Sequence, residues 1–412
     1  MGISKIADYE KKIKSVALIS FGHMTTHWYI GVLMVVLPYL KQDFSLTFTE
    51  VGLLVSLRSL AGALGNATSG FIGDFVGRRK LILFLSVTGL GLCWFLIGFA
   101  QGYLLLLILF PLATLFSNLW HAPSMSILSE AYPERKGLTL GIHGAAANLG
   151  QSISPIVVGS LIAYLGWRTA VKLNITPALL TAILLAMLLP GLKILEFKKK
   201  TRGEFIQLLK NKLLRNKTLL FLSLISAFRT MGQRGIETFL ALFLAGHLGL
   251  SPVWVGAYIS ILTISSTFPE PLIGWLSDRI GRKSILWTSF TISGLSVLAI
   301  TLVNPGAPLI VSMVLLGFFH YSLRPIIFAF ALDLTPPEIG GSTISFIFTW
   351  NQSLSALAPI VGGFLADAFG ITFALYLTAF LSLTAAVLVS ILKSRENMPK
   401  RISTTGTMVE KK

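Results

Sequence analysis

The sequence predicts an all-α polytopic membrane protein whose twelve transmembrane helices form two pseudo-symmetric bundles of six. Three observations carry that prediction. Of 412 residues, 54% are hydrophobic and 12% charged, with a mean hydropathy of +0.77, whereas a soluble domain covers its surface with about 25% charged residues. The chain also contains twelve mostly apolar stretches, each near the roughly 20 residues a helix needs to cross a bilayer. Finally, it repeats itself. Offset by 204 residues, Gly52 meets Gly256, Asp74 meets Asp278, Arg78 meets Arg282, Pro133 meets Pro337, Glu134 meets Glu338 and Pro155 meets Pro359, without a gap. Apolar residues match by chance in any membrane protein, but Asp, Arg, Pro and Gly do not match at one constant offset.

Residues 1–15 are basic and precede span 1 (16–38), whose apolar run continues without an A-x-A-like cleavage site. It therefore reads as a retained helix and not a signal peptide. The residues after Gly2 lack the Ser or Thr of a myristoylation pattern. Span 2 (49–73) carries Arg58. Span 3 (81–100) holds Cys93, the single cysteine, which excludes a disulfide framework and a Cys-based metal cluster. Span 4 (103–130) contains Trp120-His121-Ala122-Pro123, a proline interruption beside a residue able to carry protons near neutral pH. A packing histidine is the equal alternative. Span 5 (137–165) is glycine-rich and includes Pro155 and Gly159, read as helix-packing and kinking positions, and span 6 covers 169–192. Nine Lys or Arg between Lys193 and Lys217 mark 193–217 as the linker between an N-terminal bundle (16–192) and a C-terminal bundle (218–392). Contact of that linker with anionic lipid is a second reading. Spans 7 to 12 follow at 218–245, 253–277, 284–303, 308–333, 341–368 and 372–392, and 393–412 is a tail. Span 11 repeats the packing pattern with Pro359, Gly362 and Gly363.

The formal charge of +17 would suggest a nucleic-acid partner, but its distribution points to topology. With the termini and the even-to-odd loops on one side, 27 of 34 Lys and Arg fall on that side, and only Lys41, Arg168 and Lys172 near the other. The positive-inside rule then makes the basic side cytoplasmic and the protein a multi-pass constituent of a plasma or inner membrane, with lipid as its surroundings and no nucleic-acid partner.

The segment Gly70-Phe-Ile-Gly-Asp74-Phe-Val-Gly77-Arg78-Arg79-Lys80 and its second copy, Gly274-Trp-Leu-Ser-Asp278-Arg-Ile-Gly281-Arg282-Lys283, resemble the signature loop of the major facilitator superfamily. The resemblance implies two six-helix bundles, alternating access and an inter-domain latch, with Asp74 against span 11 and Asp278 against span 5. Gly70 and Gly274 suit close helix approach, and Gly77 and Gly281 a tight turn. Glu130 and Asp333 look like the acidic partners of Arg78 and Arg282. For Arg79, Lys80 and Lys283, the positive-inside rule alone is sufficient. Phe44 to Leu54, His121-Ala-Pro123 and Arg135-Lys-Gly-Leu138 leading to Gly141 and Asn148-Leu-Gly150 are similar to fosmidomycin-resistance-type efflux proteins, although Ala122 here separates the histidine from the proline. That resemblance implies proton-driven export of a small amphiphilic or anionic compound.

Ionisable side chains at membrane depth are costly and usually face a bundle interior or a watery cavity. Arg58, Arg229, Arg234, Glu237, Glu270 and Arg324 qualify. Arg234 and Glu237 are spaced to pair on one helix face, which serves either function or mutual neutralisation. Glu270 and Arg324 lie eight and nine residues before Asp278 and Asp333, so their similar depth predicts a second pair. Arginines outnumber glutamates, which predicts a net positive cavity for a carboxylate, phosphonate or phosphate. His121, His320, Asn351 and Gln352 complete the candidate set, with Trp28, Tyr29, Trp120, Tyr321 and Trp350 as aromatic lining or packing. No H-E-x-x-H spacing occurs, so no metal site is expected. No nucleophile–base pair and no P-loop is found. The sequence therefore reads as a monomeric transporter, not an enzyme, with no cofactor beyond a proton or other ion gradient. Export leads; proton-coupled uptake or exchange of organic anions is the alternative.

Overall fold

Where lipid surrounds a chain, its backbone polar groups must be satisfied internally, which helices achieve. The computed structural model describes residues 3–76, 79–132, 135–189, 215–267, 269–335 and 339–392, and every regular element among them is helical. Helices α1 (Ile3–Asp43), α2 (Phe48–Val76) and α3 (Arg79–Ile97) form spans 1 to 3. Span 4 is α4 (Tyr103–Asn118) with α5 (His121–Ala131), span 5 is α6 (Lys136–Leu165), and span 6 is α7 (Trp167–Leu173) with α8 (Ile175–Leu188). In the second half α9 (Lys217–Leu242) runs into a π-turn at Phe243–His247, and span 8 is α10 (Pro252–Ile264) with α11 (Pro269–Ile280). Helix α12 (Arg282–Leu302) is span 9. Span 10 joins α13 (Ala307–Leu316), a π-turn at Gly317–Tyr321 and α14 (Leu323–Asp333). Span 11 is α15 (Gly340–Ser355) with α16 (Leu357–Phe369), and α17 (Ile371–Ile391) is span 12. Most of the basic segment 193–217 and the tail 393–412 lie outside the described residues.

Two features differ from the sequence reading. Helix α1 begins at Ile3, so much of the 1–15 segment continues the first span as helix. Spans 6, 8, 10 and 11, read as single stretches, are each interrupted, as is span 4 at the proline interruption the sequence marks. A proline stands in the first turn of each second segment: Pro123, Pro177, Pro269, Pro325 and Pro359. There its missing N–H removes no helical hydrogen bond. Among the described residues nine spans are long and apolar enough to cross a membrane by composition alone, and the exceptions are spans 1, 7 and 8. Span 1 carries His23, Thr25, Thr26 and His27, span 7 carries Arg229, Gln233, Arg234 and Glu237, and span 8 is divided near its middle.

The two halves meet tightly at the end opposite the basic loops. Gly52 of α2 sits on the Pro359 carbonyl of α16, and Gly363 of α16 on the Phe48 carbonyl, with no space for a β-carbon at either glycine. Gly256 of α10 sits in the same way on the Pro155 carbonyl of α6, and Gly159 of α6 on the Pro252 carbonyl. The 204-residue offset carries Gly52 to Gly256, Pro155 to Pro359, Gly159 to Gly363 and Phe48 to Pro252, so the two seams are copies of each other. Small residues permit such backbone approach between membrane helices. The Ser56 hydroxyl donates to the Ala356 carbonyl at 2.5 Å, and the Ile156 N–H donates to Ser260 Oγ at 3.1 Å, adding one hydrogen bond to each seam.

The start of α2 has a further fastening. Thr47 and Glu50 cap each other's backbone N–H groups, a capping box. Asp367 of α16 accepts from the Phe48 and Thr49 N–H groups, both at 2.8 Å, and from the Thr49 hydroxyl at 2.6 Å. A carboxylate there also meets the positive end of the helix dipole. The basic residues at this end are likewise engaged: Arg168 bonds Asp43 at 2.8 Å, Lys41 lies over Phe48 and Lys172 over Phe99.

At the other end the halves part. Side chains added at Gly137, Gly141 or Gly144 of α6, or at Gly274 of α11, would meet no atom within 4 Å. Among the described residues, α6 and α11 thus make no close contact at these positions near the basic end, unlike the seams at the other end.

Candidate functional site

Helix geometry builds the first part of the site on α9. Positions 229, 233 and 237 lie one turn apart on one face. Arg229 Nη1 donates to Gln233 Oε1 at 2.9 Å, and Gln233 Nε2 donates to Glu237 Oε1 at 2.9 Å. The other Glu237 oxygen takes Arg234 Nη1 at 2.6 Å, with Glu237 only 4% exposed. Arg234 reaches across to Gln352 Oε1 of α15 at 3.1 Å, and Asn351 Nδ2 donates to Ser226 Oγ at 2.7 Å. Glu237 thus receives one guanidinium directly and a second through Gln233. Arg58, half-buried on α2 in the other bundle, lies in the electrostatic field of Arg234 and Glu237. Buried polar atoms without a protein partner remain: Arg229 Nε, Arg234 Nε and Asn351 Oδ1.

The helix interruptions supply the second part. His121 opens α5, Glu270 is the second residue of α11, and Arg324 is the second residue of α14. A carboxylate in the first turn of a helix is favoured by the dipole and a cation there is opposed, so Arg324 needs negative charge from elsewhere. Exposed on α14, it is an electrostatic neighbour of Glu270 and Arg229 in its own half and of His27 and His121 in the other. The expected Glu270–Arg324 ion pair is absent. The two are electrostatic neighbours without direct contact, because similar depth along two helices does not set the direction in which each side chain points.

Four histidines form the third part. His23 and His143 stack with ring centroids 3.8 Å apart, and His27 and His121 stand edge-on to His23 at 4.6 and 5.2 Å. His23 Nδ1 bonds the His143 carbonyl at 2.9 Å, and Ser124 Oγ lies 3.4 Å from His143 Nε2. His320 is fully buried beside Gly232 of α9. The aromatic candidates divide. Trp28 and Tyr29 bond Asn174 at the break in span 6, and Trp120 is buried over Gly22, so all three pack helices together, while Trp350 is exposed.

The repeated loop motif is described in its second copy. Gly281 turns the chain with φ of +93°, a conformation that glycine adopts without strain. Arg282 bonds Asp333 at 2.6 Å and Asp278 at 3.3 Å. The expected contact of Asp278 with span 5 is not made: Asp278 is 66% exposed, because α6 and α11 have separated at this end. In the first copy, Gly70 and Asp74 lie on α2, and Glu130 on α5, but their side chains, like Gly77 and Arg78 altogether, are outside the described residues. Among the packing positions, Pro155, Gly159, Pro359 and Gly363 form the seams, and Gly362 rests on the Phe239 ring.

Beyond His23, His27 and His143 of the histidine cluster, two more residues outside the sequence candidates matter. Gln233 bridges Arg229 to Glu237, and its four-residue spacing from both is a signal present in the sequence. Asp367 has no local signal, since its partners lie more than 300 positions away.

The family model described as the Major Facilitator Superfamily matches residues 19–269 and again 222–409. The chain is 26% identical over 372 residues to the fosmidomycin resistance protein of Escherichia coli, covering 89% of each chain. It is 22% identical over 339 residues to the cis,cis-muconate transport protein of Acinetobacter baylyi, covering 80% of this chain and 81% of that one. The fold is similar to the crystal structure of a bacterial homolog of the human lysosomal transporter Spinster in an inward-facing, occupied conformation. That match has a TM-score of 0.80 at 17% identity and covers 92% of this chain and 96% of that one.

Proposed function

This chain belongs to the major facilitator superfamily of membrane transporters, and from that premise we propose a secondary active exporter of a small organic anion or anionic amphiphile, driven by the proton gradient. The observation that carries the anion is the charge of the interior: among the described residues, Arg58, Arg229, Arg234 and Arg324 neighbour two carboxylates, Glu237 and Glu270. Guanidinium groups suit carboxylate, phosphonate and phosphate oxygens. The basic end is cytoplasmic by the positive-inside rule, so the parted end faces the cytoplasm, ready to take cargo from within. The name of the fosmidomycin resistance protein supports export.

A second reading has its own support. Protonating Glu237 would release Arg234 and remove a repulsive charge, so proton and anion binding reinforce each other at this site. Such linkage suits symport, and the muconate relative supports organic-anion transport of this kind.

Reconstituted protein under an imposed pH gradient separates the two: anion movement against the proton flow supports export, and movement with it supports symport. Arg58→Gln and Arg324→Gln should each weaken binding of an anionic substrate by about 10- to 100-fold, the worth of a hydrogen bond to a charged group at roughly 1.5–3 kcal/mol. Unchanged binding in both removes the anion site.

A further inference from the structure

His23 and His27 are one turn apart on α1, and His121 comes from the interruption of span 4 nearly a hundred residues later. One ring nitrogen from each lies within 4.8 Å of the others. The tautomer of His23 follows from its partner. A carbonyl can only accept, so Nδ1 carries the proton donated to the His143 carbonyl, and the lone pair is on Nε2. That Nε2 is buried and has no protein partner, and neither has Nδ1 of His27. An imidazole held by a carbonyl through one nitrogen and bare at the other is the arrangement that orients histidine toward a metal. A buried nitrogen lone pair left unmatched is otherwise unfavourable.

We propose that His23, His27 and His121 bind a divalent transition-metal ion together with the anionic cargo, an inference that rests on the anion reading above. Three imidazoles are a ligand set for Zn2+, Co2+, Ni2+ or Cu2+ and leave a coordination position open. Bonds of about 2.0 Å in tetrahedral geometry place ligand nitrogens about 3.3 Å apart, so the trio must contract by side-chain rotation. The three ligands are neutral, and Arg324 acts on both His27 and His121. A bare dication is therefore opposed by a fixed positive charge. An anion that ligates the open position and meets Arg324 removes that opposition, so metal and anion enter as a complex. The substrate class narrows to small anions able to coordinate a metal.

The test is spectroscopic and independent of transport. Purified full-length protein without a polyhistidine tag is titrated with Co2+, and the visible d–d bands of a tetrahedral site are followed, with Zn2+ as competitor. Binding should saturate near one equivalent, and His23→Gln, His27→Gln and His121→Gln should each weaken it by at least about tenfold. His143→Gln should retain it, since the carbonyl that holds His23 Nδ1 belongs to the backbone and survives the change, although the stacked ring is lost. Methylphosphonate should tighten Co2+ binding in the natural protein. Arg324→Gln should bind bare Co2+ more tightly and lose the effect of the phosphonate. No saturable binding, or binding that survives loss of any two of the trio, overturns the metal site. A phosphonate effect that is missing, or that persists without Arg324, overturns joint binding. If the metal binds while anion transport fails, the metal site stands and the anion function falls.

Discussion

Among the described residues, Glu237 is the buried carboxylate on which two guanidinium groups converge, Arg234 directly and Arg229 through Gln233. Neutralising it without changing its shape isolates its charge. In Glu237→Gln, counterflow of a bound anion should continue, while accumulation driven by a pH gradient should fall to the level of simple exchange; assays with and without the gradient read both. A variant that still concentrates substrate in response to the gradient places the proton elsewhere. At this scale the sequence is informative where partners share a helix. The three-residue spacing of Arg234 and Glu237 puts them on one face with no further information. Partners on different helices are another matter. Equal depth brought Glu270 and Arg324 into one neighbourhood but not into contact, and the histidine trio joins residues of α1 and α5 whose meeting depends on how the two helices pack.

Among the elements, the informative ones are those that break. Each interrupted span resumes with a proline in its first turn. Three of the resumed segments carry His121, Glu270 or Arg324 at their first or second position, so the backbone interruption also presents these ionisable side chains. Pro123 marked the break in span 4; hydropathy alone missed the others because both segments of each span are apolar, though their prolines could have marked them too. The seams were legible in part, since glycine and proline repeat at the constant offset, but which glycine lies on which carbonyl is set by packing between the halves. Gly256→Val should force α6 and α10 apart and shift the protein away from the conformation described, whereas Gly141→Val, at a position facing open space, should not. Spin labels across the tight end would show a longer distance in the first variant only. Equal distances in both would mean that the seams do not hold that end shut.

For the whole molecule, charge asymmetry and the parted end make one joint prediction about sidedness. In a Cys93→Ser background, which removes the only native thiol, Gly141→Cys should react with a membrane-impermeant maleimide from the cytoplasmic face and Gly159→Cys from neither. Labelling of Gly141→Cys from outside would invert the orientation. Composition and the internal repeat were enough to predict two helical bundles, because both are properties of the whole chain. Which end is shut was not legible, since the sequence serves both ends of the transport cycle equally.

The copied seams also differ in one respect. Asp367 clamps the start of α2, and the residue related to it by the repeat is Ala163, which has no carboxylate to offer Pro252 or Val253. Two edges of unequal grip do not release at the same moment. The α6–α10 edge, which lacks that clamp, is expected to open first, with the α2–α16 edge as the hinge. An opening at this end should therefore widen as a wedge instead of a parallel slot, with its wide side between α6 and α10.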